Sequence, residues 1–95
     1  MFVTVSPKVY VSVLTSFDYE GKMLPENLTW EDGTVYDIDR IIDILPSAAL
    51  KAGSGGDRYT ISVNGKQTYL FFERSTEYYA SKESNIIGRW FLERK

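Results

Sequence analysis

The first candidate for chemistry is the glycine-rich run Gly53-Ser54-Gly55-Gly56. Such loops bind phosphate when a helix begins directly after them, because the amides at the helix N-terminus then face the anion. Here Pro46 and three alanines predict a short helix over residues 46–52 that ends before Gly53, and a strand follows the glycines. The run therefore predicts a corner and not a nucleotide site. If the stretch binds a carboxylate or a phosphate, Lys51 and Arg58 at its two edges are the candidates.

The second candidate is a set of carboxylates at Asp37, Asp39 and Asp43. On one strand face Asp37 and Asp39 lie about 7 Å apart, a spacing open to acid–base chemistry or to a hard cation. A solvated, charged outer face is the alternative. The chain has no histidine and no cysteine, which removes the commonest general base and every thiolate. We therefore expect no catalytic residue, no metal site and no bound cofactor, in a protein that is not an enzyme.

Arg40 is the third candidate, because it interrupts an apolar row. If residues 34–45 form one strand, Arg40 shares a face with Tyr36, Ile38, Ile42 and Ile44. A buried guanidinium has to be paired, since burying a lone charge costs several kcal/mol. The row predicts a structural ion pair for Arg40, with contact to a ligand as the alternative.

A β-hairpin positions the remaining candidates. Arg58–Val63 and Lys66–Glu73 flank Asn64-Gly65, a dipeptide typical of a type I′ turn. A two-residue loop sets the register and gives the hairpin two distinct faces. The face assigned to the core carries Tyr59, Ile61, Val63, Leu70 and Phe72. Arg58, Tyr69 and Phe71 lie on the other face, which is too aromatic for simple solvent surface: either the sheet curls and covers it or something binds there.

The other predicted elements are also strands. They begin at Val9, Pro25, Thr34 and Arg89, and turns are predicted at Asp18-Tyr19-Glu20-Gly21 and Glu31-Asp32-Gly33. The chain is therefore expected to be one small all-β domain over residues 1–95. We expect about six antiparallel strands, curled into a small barrel or half-barrel, with one short helix near residues 46–52.

Charge and composition narrow the possible partners. Residues 1–50 hold three basic and eight acidic side chains, a net charge of −5, whereas residues 51–95 hold eight and five, a net charge of +3. No stretch is long and apolar enough for a membrane helix, and the lack of cysteine favours the cytosol. We expect a cytoplasmic protein that does not bind membranes.

These observations support two hypotheses about function. The leading one is a non-catalytic module whose aromatic and basic hairpin face meets a protein partner or a second copy. The alternative is a small barrel that binds single-stranded nucleic acid by stacking bases on aromatic rings in a positive groove. The candidate binding residues are Arg40, Lys51, Arg58, Tyr69, Phe71 and Arg89.

Three stretches resemble a family of small uncharacterised bacterial proteins. They are WEDGTVYDIDRIIDI, AALKAGSGGDRYTISVNG and YLFFERS…GRWFLERK, which together span about residues 28–95. The family pattern includes W-x-D-G, I-D-R, L-K-A-G-x-G-x-R-Y-T and R-W-F, and it implies no particular activity. Besides Arg40, Lys51, Arg58 and Arg89, it singles out Trp30, Asp32, Gly33, Asp39, Gly53, Tyr59 and Trp90. Residues 74–88 are an insertion relative to that pattern.

Overall fold

Seven β-strands form the described part of the chain. The computed structural model describes residues 7–46, 57–74 and 88–93. The short helix predicted over 46–52 and the glycine corner fall almost wholly outside these residues. The strands are β1 (Lys8–Phe17), β2 (Met23–Thr29), β3 (Val35–Asp37), β4 (Arg40–Leu45), β5 (Asp57–Val63), β6 (Lys66–Arg74) and β7 (Gly88–Glu93).

The strands form one antiparallel sheet that curls into a half-barrel, which confirms the predicted fold class. Their order is β3-β2-β1-β7-β6-β5-β4. The two strands at the ends of this order follow each other directly in the chain. Between them, the Ile38 amide donates to Glu26 of β2, and the Asp39 amide donates to Ser62 of β5. Residues 38–39 therefore join the two ends of the sheet.

Two turns of the same kind connect the first strands. In each, a three-residue loop ends in a glycine with positive φ, Gly21 at 85° and Gly33 at 88°. Asp18 accepts hydrogen bonds from the amides of Glu20 and Lys22, and Asp32 accepts one from the amide of Thr34. The predicted turns are therefore present, and Asp32 and Gly33 serve the geometry of the second one.

The central hairpin has the predicted register. Val63 lies opposite Lys66, and Arg58 lies opposite Phe71. Asn64 and Gly65 have φ angles of 51° and 77°, as a type I′ turn requires.

The prediction of one continuous strand over residues 34–45 is wrong, because this segment forms two strands, β3 and β4. The chain leaves β2 after Asp37 and joins β5 from Arg40, and a bulge between Ile41 and Asp43 shifts the register again. As a result Ile41 packs against the core, whereas Ile42 is 44% exposed. The single apolar row predicted through Arg40 does not exist, because two different strands pair with the two halves of this segment.

The core lies on the concave face of the sheet. Tyr59 and Phe72 each make an edge-to-face contact with Trp90, at centroid distances of 5.1 and 5.0 Å. Ile61 and Leu70 are completely buried beside them. Tyr59 and Trp90, two positions of the family pattern, are therefore core residues. Within residues 7–46, 57–74 and 88–93, no helix is long and apolar enough to cross a membrane.

Candidate interaction face

The convex side of the sheet carries a second group of aromatic side chains. Residues that lie directly opposite each other on paired strands share a face of the sheet. Three such pairs define this side, and they are Tyr10 with Phe91, Arg58 with Phe71, and Glu73 with Arg89. We call this surface the outer face. It consists of Lys8, Tyr10, Arg58, Tyr69, Phe71, Glu73, Arg89 and Phe91.

A row of four rings forms the middle of the outer face. Phe71 and Phe91 stack with centroids 5.0 Å apart and planes 10° apart. Tyr10 meets Phe91 edge to face at 5.9 Å, and Tyr69 lies 6.5 Å from Phe71. Phe91 is only 2% exposed, but Tyr10 and Tyr69 at the two ends of the row are 43% and 44% exposed. The row is thus covered at its centre and open at both ends.

One end of the row is built around Glu73. Its carboxylate accepts a hydrogen bond from Lys8 at 2.8 Å and from Arg89 at 3.2 Å, and the Tyr10 hydroxyl lies 3.3 Å from both oxygens. The Arg89 guanidinium also lies over the Tyr10 ring at 4.3 Å, and the Lys8 ammonium lies over Phe91 at 4.8 Å. Two cations therefore share one carboxylate. We call Lys8, Tyr10, Glu73 and Arg89 the Glu73 end.

The pKa values at this end follow from the same contacts. The hydrogen bond from Lys8 lowers the pKa of Glu73 and outweighs the opposite effect of partial burial. The same bond raises the pKa of Lys8. Each partner stabilises the charged form of the other, so the Glu73 end is charged and internally paired at neutral pH.

The other end of the row carries a cation that pairs with no carboxylate of the described residues. The Arg58 guanidinium lies over the Tyr69 ring, 4.5 Å from its centroid. Its Nε is buried and donates no hydrogen bond to another described residue. Ion pairs among the described residues involve Lys8, Arg74 and Arg89 but not Arg58. We call Arg58 and Tyr69 the Arg58 end.

The structure brings together four of the six predicted binding residues. Arg58, Tyr69, Phe71 and Arg89 all lie on the outer face. Lys51, like Gly53, lies outside the described residues.

Arg40 contradicts the prediction of a buried ion pair. It is exposed at the start of β4, and it forms no ion pair within the described part of the chain. The physical reason is the break after Asp37, which turns the Arg40 side chain away from the core row assumed for a continuous strand.

Two of the three predicted carboxylates, Asp39 and Asp43, accept hydrogen bonds from backbone amides. Asp39 Oδ2 accepts a hydrogen bond from the Gly65 amide at 3.1 Å and from the Ser62 hydroxyl at 3.4 Å. It thereby ties the junction of β3 and β4 to the β5–β6 turn. Asp37 and Asp39 do not share a strand, because β3 ends at Asp37. Among the described residues, no three acidic side chains group closely enough to hold a metal ion.

Sequence reasoning missed Lys8, Tyr10 and Glu73. A signal for Tyr10 exists, since Val9, Val11 and Val13 alternate with it and take the inner face. Glu73 similarly continues the outer phase of Tyr69 and Phe71 along β6. No pattern within one strand indicates that β1 lies beside β7, and this pairing is what brings Lys8 to Glu73.

Trp30, the remaining position of the family pattern, closes a turn. Its amide donates to the Thr34 carbonyl at 2.8 Å, and its carbonyl accepts from the Gly33 amide at 2.9 Å.

Comparison of the chain with protein-family models, with curated proteins and with solved structures finds no match. The resemblance to the bacterial family therefore stays a prediction.

Proposed function

We propose that this protein is a non-catalytic interaction module, which binds a partner protein through the Arg58 end of its outer face. The partner presents a carboxylate beside an apolar or aromatic side chain. The carboxylate pairs with the Arg58 guanidinium, and the apolar group packs on Tyr69 and Phe71.

The observation that carries this proposal is that Arg58 forms no ion pair with any residue of the described ranges. Packing on Tyr69 holds the guanidinium, and no described residue supplies an anion. Its cross-strand neighbours are Leu45 and Phe71, which are both apolar. A partly buried guanidinium gains most from a carboxylate in bidentate geometry, because the surrounding apolar groups weaken competition from water.

The composition of the outer face supports the same reading. Tyrosine and arginine are enriched among the residues that dominate binding energy at protein interfaces, and rigid aromatic rings lose little entropy on binding. At the opposite end, Lys8 and Arg89 are already paired with Glu73, so they are less available to a carboxylate of the partner. A partner with one carboxylate therefore has a preferred orientation across the row of rings.

A peptide-display selection on the immobilised protein tests this proposal. We expect enriched peptides to share an acidic residue next to an aromatic or large aliphatic one. Their binding should fall at least about tenfold in Arg58→Gln, the loss of one charge-assisted interaction. Arg40→Gln is the matched control, because Arg40 is an arginine of the same sheet that is exposed and lies away from the row of rings. Peptides without acidic residues, or equal binding to both variants, would refute the proposal.

Nucleic acid is the second candidate, because Tyr10 and Tyr69 are exposed rings that each carry an arginine. Titration of labelled single-stranded DNA and RNA at low ionic strength distinguishes the two, since backbone contacts are strongest there. We expect no binding, because the chain has a net charge of −2 and two of the three cations of the outer face, Lys8 and Arg89, are paired with Glu73. Binding that Tyr69→Ala removes would favour the nucleic-acid function instead.

A further inference from the structure

The turn between β1 and β2 carries an aromatic ring and a carboxylate side by side at its tip. Tyr19 is 97% exposed, which makes it the most exposed of the large hydrophobic side chains in the described part of the chain. Glu20 follows it directly and is also exposed. The Glu20 carboxylate forms no hydrogen bond or ion pair with any described residue. We call residues 18–21 the Tyr19 turn.

Hydrogen bonds within the Tyr19 turn fix its shape. Asp18 Oδ1 accepts the amides of Glu20 and Lys22, at 2.9 and 2.8 Å. The Asp18 carbonyl accepts the Gly21 amide at 2.9 Å. The Asp18 carboxylate is thus used inside the turn, which leaves Glu20 to pair with another molecule. A turn that is already ordered loses little entropy on binding.

The turn between β2 and β3 has the same backbone but a different tip. Corresponding backbone hydrogen bonds align the two turns, so Glu31 takes the position of Tyr19. Asp32 takes the position of Glu20, but its carboxylate accepts the Thr34 amide at 2.9 Å. Glu31 also has a contact within the structure. Of these two turns, only the Tyr19 turn has a ring beside a carboxylate that no described residue engages.

The Tyr19 turn lies at the end of a two-stranded arm. β1 pairs with β7 only as far as Val11, and residues 12–17 pair with β2 alone among the described strands. Arg58 and Tyr10 lie on one line of cross-strand neighbours. From Tyr10 to the end of β1 at Phe17 the strand covers about 23 Å. The turn is therefore too far from the Arg58 end of its own chain to bind there.

Charge favours the Arg58 end of a second copy as the binding surface for this turn. Residues 18–22 carry two acidic side chains and one basic one, a net charge of −1. On the outer face, Lys8 and Arg89 are paired with Glu73, whereas Arg58 pairs with no described carboxylate. Arg40 also has no ion pair in the described ranges, but no described ring lies against it.

We propose that the Tyr19 turn of one copy docks on the Arg58 end of a second copy. Glu20 pairs with the Arg58 guanidinium. The Tyr19 ring packs on Tyr69 and Phe71. This assignment rests on the proposed function, because the turn supplies the ring and the carboxylate required of a partner there. The two surfaces are different, so the contact is head to tail and leaves one of each free for further copies.

Two complementary variants test this contact. Arg58→Gln keeps the turn and loses the guanidinium, whereas Glu20→Gln keeps the guanidinium and loses the carboxylate of the turn. A contact this small should have a Kd on the order of 0.1 mM, so sedimentation equilibrium extends to about 1 mM. The mean mass of the natural chain should rise with concentration beyond that of a dimer. Each variant alone should associate at least about tenfold more weakly, the loss of one charge-assisted pair.

An equimolar mixture of the two variants should regain association. It should stop at one copy of each, because only one intact turn and one intact Arg58 end are present in such a pair. With 15N label in Glu20→Gln alone, adding unlabelled Arg58→Gln should shift the Arg58 Nε resonance saturably. Glu26→Gln is the matched control, because Glu26 is an exposed carboxylate of the same arm but lies away from its tip. It should associate like the natural chain, and circular dichroism checks that every variant is folded.

Three results would overturn this inference: a natural chain that stays monomeric to about 1 mM, a mixture that associates no better than its components, or equal weakening by Glu26→Gln and Glu20→Gln. If selected acidic and aromatic peptides still bind in an Arg58-dependent way, the proposed function survives that failure. Peptide binding that is equal in Arg58→Gln and Arg40→Gln would instead refute the proposed function itself.

Discussion

The two ends of the outer face are built from the same pair of groups but differ in charge balance. At each end an arginine lies over a tyrosine ring, at 4.3 Å for Arg89 and Tyr10 and at 4.5 Å for Arg58 and Tyr69. Arg89 also reaches Glu73, whereas Arg58 reaches no described carboxylate. The same local contact is therefore part of an ion-paired cluster at one end, whereas at the other end the guanidinium pairs with no carboxylate of the described residues.

Strand register explains this difference. Arg89 lies directly opposite Glu73 across β7 and β6, and β1 brings Lys8 to the same carboxylate. Arg58 has Phe71 on one side and Leu45 on the other. Arg58 therefore meets no carboxylate directly across from it on either adjacent strand.

The largest expected effect comes from the centre of the row. Phe91→Ala should lower the free energy of unfolding by about 3–5 kcal/mol, because a buried ring stacked on Phe71 is lost and a cavity remains. Tyr69→Ala is the matched change at the open end and should cost about 1 kcal/mol or less. Urea denaturation of both variants measures the difference. Equal losses would mean that the Arg58 end is as structural as the centre.

The next effect separates the two ends by charge. Glu73→Gln should lower the free energy of unfolding by about 1 kcal/mol, because it removes the anion shared by Lys8 and Arg89. The loss should shrink in high salt, where exposed ion pairs are screened. Urea denaturation at two salt concentrations measures it. A loss that is independent of salt would contradict the ion-pair account of this end.

The pH dependence of the Glu73 end gives a third test. The pKa of Glu73 lies below its ordinary value of 4.5, so its contribution is present above that pH and is lost as the pH falls through the lower, folded pKa. The pKa of Lys8 lies above 10.5, so its share is present below that pH and is lost at higher pH. Natural and Glu73→Gln proteins should therefore differ in stability between these limits and converge in acid. A difference that persists in strong acid would contradict the assignment.

The smallest effect on stability is expected at Arg58. Arg58→Gln should change the free energy of unfolding by no more than about 1 kcal/mol, because it removes a cation–π contact and no ion pair seen among the described residues. Thermal unfolding, compared with that of Arg89→Gln, measures this change. A loss larger than that of Arg89→Gln would show that Arg58 is a structural residue, and the comparison between the two ends would fail.

The faces of the β5–β6 hairpin could be predicted from the sequence. Asn64-Gly65 determines a two-residue turn, and the turn alone sets which residues of β5 and β6 share a face. The outer position of Arg58, Tyr69 and Phe71 followed from that local rule. The all-β class followed from the same alternation in the other strands.

The break at residues 38–39 and the difference between Arg58 and Arg89 depend on contacts between segments that are distant in the sequence. The apolar pattern of residues 34–45 suits one continuous strand, and only pairing with β2 and then with β5 breaks it at Ile38 and Asp39. Arg58 and Arg89 look equivalent in the sequence. They differ because β7 pairs with β6 in a register that places Arg89 opposite Glu73.

The most direct test of the central claim follows the Arg58 side chain itself. Its Nε–H is buried and has no hydrogen-bond partner in the described part of the chain, so it is shielded from water and suited to observation by 15N NMR. The probe is N-acetylphenylalanine, which carries one ring and one carboxylate, and the control is its amide, which lacks the charge. We predict a saturable shift of the Arg58 resonance with the acid, little shift with the amide, and an unchanged Arg89 resonance. Equal shifts at Arg58 and Arg89, or equal responses to the acid and the amide, would contradict the account.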